Sequence, residues 1–134
     1  MLAATHMLAG ATVYKVTSHK KAIGLPLAFG SHFGLDCIHH YDLNINGNLI
    51  IGVPIILFIL LMGWKQKDGV LIIAAFLGML PDLISILKIS DSFHQIHMFL
   101  HFKPSYPLPP YLLVIEGLLA ILFITYLIKK WDMK

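Results

Sequence analysis

The chain has 134 residues, 57% of them apolar and only 13% charged, with a formal net charge of +3. About 25% charge is usual for a soluble domain, and a soluble fold this small cannot bury so much apolar surface, so a lipid-solvated chain is expected. A single cysteine, Cys37, rules out a disulfide framework and a CxxC metal site, and ten lysines without arginine lie between apolar segments rather than on an aromatic-interleaved basic stripe, which argues against nucleic acid.

A membrane-crossing helix needs roughly 20 mostly apolar residues. The segment before residue 7 lacks the basic region of a cleavable signal peptide, so it is read as mature protein. The first candidate span, about 2–17, is weak because it holds Thr5, His6, Thr12 and Lys15. The second, about 22–40, ends in His39, His40 and Tyr41. The third, about 48–64, carries no charge. The fourth, about 69–88, contains Pro81 and Asp82. Ser90, Asp91 and Ser92 then offer an N-cap for a short amphipathic helix over 93–102, suited to lying at the interface. Four prolines within 104–110 end it and favour a stiff extended loop. The last span, about 110–129, contains Glu116. The expectation is all-α: an integral membrane bundle of about five transmembrane helices plus an interfacial helix, as one domain over 1–134.

With five spans, Lys15, Lys20, Lys21, Lys65, Lys67, Lys129, Lys130 and Lys134 share one side, against Lys88 and Lys103 on the other. That bias marks the first side as cytoplasmic and puts the N-terminus outside. Trp64, Tyr126 and Trp131 are expected in the inner aromatic belt, and Tyr41, Tyr106 and Tyr111 in the outer one.

His32, Asp36 and His40 are spaced four apart and share one helical face, with His39 near it. His97 and His101 repeat that spacing, and His94 lies within the same arc. Pro81 removes a helix hydrogen bond beside Asp82 and is expected to bend the helix there. With His6 near the start of the first span, seven of the eight histidines and every intramembrane carboxylate fall at the outer end; His19 is the exception. A lone carboxylate in hydrocarbon costs several kcal/mol, so Asp36 and Asp82 must be paired, hydrated or bound to a cation. Imidazole and carboxylate suit zinc, and also manganese or iron. Two aspartates with four to six histidines have donors for two or three ions, and closely spaced ions activate water for phosphoester displacement. Glu116 reads equally as a partner behind the ligands or as an acid lining a cavity. Cys37 reads as a small packing residue, and Asp42 as a loop cap.

Thr5-His6 with Ala9-Gly10, then Ser31-His32-Phe33-Gly34-Leu35-Asp36 with His40-Tyr41-Asp42, then Gly78-Met79-Leu80-Pro81-Asp82, then His97 and His101, follow one another in the chain. Together they resemble the small integral-membrane metal-dependent hydrolases, a family distantly similar to the zinc-dependent phospholipases C. His39 stands where that family commonly has proline, so His40 is the better match to its histidine. The resemblance implies a helical core holding two or more zinc-type ions through His6, His32, Asp36, His40, Asp82, His97 and His101; helical spacing and position keep His39, His94 and Glu116 in reserve.

The expected function is membrane-embedded hydrolysis of a lipid phosphoester at the outer face of the plasma membrane. Asp36 or Asp82 would be a bridging ligand or general base, and the proline-rich loop with Tyr106 and Tyr111 would border the entrance. The alternatives are a metal-binding or metal-transport protein without chemistry, and a b-type haem protein using paired histidines. Five short helices enclose little volume, which leaves room for homo-oligomerisation.

Overall fold

The computed structural model describes residues 1–17, 20–41, 43–101 and 108–132. Lys103, Pro104, Tyr106 and Pro107 of the proline-rich loop, together with His19, Asp42 and Lys134, lie outside the described residues.

The described residues form six helices in order: α1 (Ala3–Val16), α2 (Lys21–Asp36), α3 (Ile45–Lys65), α4 (Gly69–Ile86), α5 (Asp91–Leu100) and α6 (Leu112–Asp132). No strand occurs among the described residues. Side-chain caps mark three of the starts. Asn44 accepts from the Gly47 N–H at 2.9 Å, Asp68 from Leu71 at 3.3 Å, and Ser90 from Phe93 at 3.3 Å. α3 and α4 each end on a lysine in the left-handed region, Lys67 (φ 52°) and Lys88 (φ 50°). The Asp68 N–H bonds back to Gly63 and the Ile89 N–H to Ile84, the pattern of a Schellman turn. The second of these turns folds α5 back against α4.

Among the described residues three helices are long and apolar enough to cross a bilayer: Asn46–Lys65, Gly69–Ile86 and Leu112–Lys130. They expose unbroken apolar faces, among them Leu49, Ile50, Val53 and Leu57 on α3 and Val114, Leu118, Ile121 and Leu122 on α6. Faces of that extent need lipid or a partner over them. Five spans were expected, and α1 and α2 fall short of that length, with 14 and 16 residues. At 1.5 Å per residue they reach about 21 and 24 Å, against a hydrocarbon core of about 30 Å. α2 stops at Asp36 because the following segment leaves the helix to reach the α3 cap at Asn44.

The reason α1 is short and weakly hydropathic is its place at the centre. It packs against α2, α3, α4 and α6 and is buried along almost its whole length. Its neighbours, rather than lipid, are its solvent. Small residues make that possible. A Cβ on Gly10 would collide with the Ala74 carbonyl, and a Cβ on Gly78 with the His6 carbonyl. α1 and α4 therefore touch backbone to backbone. Met7, Leu8, Ala11 and Tyr14 of α1 meet Ile59 and Met62 of α3, Leu71, Ala74 and Ala75 of α4 and Leu127 of α6 in one core.

Polar clusters hold both ends of α1. At one end Glu116 Oε1 accepts from the Leu2 N–H (2.6 Å) and the Thr5 hydroxyl (2.8 Å). At the other, Lys15 Nζ lies 3.0 Å from Asp68 Oδ2 and donates to Gln66 Oε1 at 2.5 Å, while the Tyr14 hydroxyl donates to Asp68 Oδ1. Lys15 was expected in a loop with the other cytoplasmic lysines, but it is buried in this ion pair inside α1.

Candidate metal centre

The backbone contact of α1 with α4 sets His6 opposite Pro81 and Asp82, and α2 supplies His32 and Asp36 from its last turns. α4 runs through Pro81 unbroken. α5 adds His97, and His101 follows at its C-cap.

Asp36 is the hub. Its side chain is fully buried, with four imidazole nitrogens around it. His6 Nε2 lies 3.1 Å from Oδ1; His32, His101 and His97 Nε2 lie 2.9, 3.2 and 3.4 Å from Oδ2. Asp82, whose side chain is 19% exposed, stands on the other side. Its Oδ1 is 3.5 Å from His97 Nε2 and 3.7 Å from His32 Nε2, and its Oδ2 is 3.9 Å from His6 Nε2.

Two tautomers follow from their acceptors. A carbonyl can only accept, so the His32 Nδ1–H donates to Gly78 O at 2.9 Å, which in the neutral ring leaves the lone pair on Nε2. In the same way the His40 Nδ1–H donates to Ile38 O at 2.8 Å. His32 Nε2 and His97 Nε2 face one another at 2.9 Å. Neither Asp36 oxygen and neither His6 nitrogen makes a well-directed hydrogen bond, although all are buried. Buried polar atoms in native proteins are seldom left so, and a cation among them would satisfy the facing lone pairs of carboxylate and imidazole.

The donors fit such a cation. Ligands about 2.0–2.1 Å from one tetrahedral zinc lie about 3.3 Å from each other, and the separations above run from 2.9 to 3.9 Å. The donor atoms form three overlapping groups, each within 4.8 Å: His32, Asp82, His97 and His101; His6, His32 and Asp36; Asp36, His40 and His101. His32, Asp36 and His101 each fall in two of the groups; of the three, only the Asp36 carboxylate has two oxygens with which to bridge ions. These groups contain His6, His32, Asp36, His40, Asp82, His97 and His101, the seven residues the resemblance singles out, and no others among the described residues. Burial pushes the His101 imidazole down to about 4, so it is neutral and able to ligate at pH 7.

The three reserve residues do something else. His39 is exposed and outside the groups. Glu116 anchors α1 through Leu2 and Thr5. His94 is bonded to Ser85, Nδ1 to Oγ at 2.6 Å. His40 was expected on the α2 face with His32 and Asp36. It reaches the cluster from the loop beyond α2 instead, with its ring 5.4 Å from that of His101.

A cavity of about 730 Å³ opens beside Asp82, His97 and His101. Leu43, Leu49, Ile86 and Met98 give it apolar walls; Ser85, Lys88, His94 and Asn48 give it polar ones. Ser85 and the Gly78 carbonyl were not foreseen. Ser85 lies three residues after Asp82 and so on nearly the same face, which is a readable signal; the carbonyl leaves none.

No family model, characterised protein or solved structure matches this chain. The functional reading therefore rests on the residues and their geometry.

Proposed function

We propose that the chain is a membrane-embedded metal-dependent hydrolase acting on a phosphoester of a lipid. The observation that carries this reading is the packing of imidazole nitrogens and two carboxylates at ligand spacing in an apolar helical bundle, beside a cavity with apolar walls. The motif resemblance to small integral-membrane metal-dependent hydrolases, themselves distantly similar to zinc-dependent phospholipases C, points the same way. In this reading α1 and α2 cross with α3, α4 and α6, α1 being shielded by its neighbours. The lysine bias puts the N-terminus and the site on the outer side.

Zinc is the favoured ion, two or more per chain, held by the seven residues above. Bound divalent cations would supply an acidified water and polarise a phosphoryl oxygen. Asp36 is too deep to meet a substrate and suits a bridging ligand. Asp82 lines the cavity and suits the base that takes the proton of the attacking water. The apolar walls suit an acyl chain. The haem alternative loses support, because histidine nitrogens 2.9 Å apart with carboxylates against them leave no slot for a porphyrin.

Detergent-purified protein should hold about two equivalents of zinc or manganese and cleave a short-chain phospholipid. If Asp82→Asn leaves both metal content and turnover intact, the reading is wrong. The complete burial of Asp36 favours one rival, a metal-binding or transport protein without chemistry. Metal flux into vesicles without lipid cleavage would select it.

A further inference from the structure

The histidines around Asp36 and Asp82 divide by what their Nδ1 atoms touch. His32 and His40 give Nδ1–H to carbonyls and belong to the donor groups around Asp36 and Asp82. His94 differs, because it belongs to none of those groups and its partner is the Ser85 hydroxyl. A hydroxyl both donates and accepts. It can accept from Nδ1–H when the ring is an imidazolium, and still bond that nitrogen after the ring has lost a proton from Nε2. Ser85 is buried on α4, three residues after Asp82, and both Ser85 and His94 line the cavity that Asp82, His97 and His101 border. With Nδ1 held, the Nε2 edge of His94 is the one left to meet an occupant.

We propose that His94 is the proton donor to the leaving group of the hydrolysis, with Ser85 as the residue that positions it. This rests on the hydrolase reading above. Hydrolysis of a phosphoester forms one P–O bond from water and breaks the P–O bond to the alcohol. The electron pair of the broken bond goes to the alcohol oxygen. The water proton goes to Asp82, and the alcohol oxygen takes the Nε2 proton of the His94 imidazolium. His94 is left neutral, with Nδ1–H on Ser85 Oγ. The two proton carriers then stand on different elements of one cavity wall, Asp82 on α4 and His94 on α5. Other charged or titratable groups lining the cavity include Lys88, His97 and His101.

The test compares two substrates that differ in their need for that proton. A short-chain phosphatidylcholine leaves as an alkoxide whichever ester bond is cut. p-Nitrophenyl phosphorylcholine can leave as a stable phenolate. His94→Gln should keep its metal content and its affinity for a non-hydrolysable alkyl phosphonate. It should lose about 100-fold in turnover on the lipid and less than about 3-fold on the nitrophenyl ester, which asks little of a general acid. Ser85→Ala should show the same asymmetry at about 10-fold, a fraction of the full acid effect, and Ser85→Thr should restore it. Should the His94 variant fail to fold, the Ser85 pair still decides.

Equal losses on both substrates would mean a packing or binding role. Loss of metal would make His94 a ligand. No loss would leave it no role. Each of these overturns the donor assignment while the wild type remains active. A metal-loaded wild type that cleaves neither substrate overturns the hydrolase reading and the donor role with it.

Discussion

Gly78 joins the packing of the bundle to the chemistry of its site. Its missing side chain lets α1 and α4 touch, and its carbonyl accepts from His32 Nδ1 at 2.9 Å. A Cβ there would meet the carbonyl of His6, itself in the cluster. To regain ordinary contact the helices must part by about 1 Å. Overpacking of that kind costs about 1–3 kcal/mol, while alanine returns about 1 kcal/mol of helix propensity over glycine. The net loss of stability in Gly78→Ala is therefore small, about 0–2 kcal/mol. The effect on the site is larger, because one methyl displaces His6 and also the partner that sets the His32 tautomer. Losing such a partner typically weakens metal binding about 10- to 100-fold. Chelator competition on detergent-purified protein measures this, with thermal unfolding alongside. Gly30→Ala is the control, since no heavy atom lies within 4 Å of its added Cβ; it should leave metal affinity unchanged. A Gly78→Ala protein with wild-type metal affinity would refute the claim that close α1–α4 contact builds the site.

Other substitutions separate the roles of the buried carboxylates and histidines. Asp36→Asn removes the charge that faces four imidazoles and should weaken metal binding by more than the roughly 100-fold of an outer partner; retention of metal at a micromolar chelator challenge would count against the hub assignment. Glu116→Ala strands the Leu2 N–H and the Thr5 hydroxyl and should cost about 1–3 kcal/mol, read as a lowered Tm in metal-free protein, and an unchanged Tm would show those contacts to be idle. Burial holds the His101 imidazole at about 4 instead of 6.5, so the unfolded chain takes up that proton first and protonation favours unfolding. The His101 contribution to metal-free stability should be full above pH 6.5 and decline as the pH falls toward 4. His101→Gln should flatten that slope, and equal slopes in the two proteins would clear His101 as its source.

Much of this was readable before any coordinates. The four-residue spacings of His32 with Asp36 and of His97 with His101 put donors on common faces, and the cluster uses them. The Ser90 cap and the apolar runs of α3, α4 and α6 fall where composition put them. What escaped depends on contacts between segments far apart in the chain. Spacing made His39 and His40 near equals on one helix, whereas beyond the end of α2 at Asp36 His40 is buried against His101 and His39 is exposed. Lys15 read as a loop charge because its partner Asp68 is 53 residues away. The Gly10–Gly78 contact is invisible to hydropathy, because glycine carries little apolar signal. Hydropathy read α1 as a span, whereas its 14 residues are ringed by protein and fall short of the length of α3, α4 and α6.

The enclosure of α1 also sets an order of assembly. A helix bearing His6 and Lys15 gains little by partitioning alone into hydrocarbon. It becomes stable only when α2, α3, α4 and α6 surround it and Asp68, Glu116 and Asp36 take up its polar groups. All of those residues follow it in the chain, so the segment synthesised ahead of them is the last to be buried.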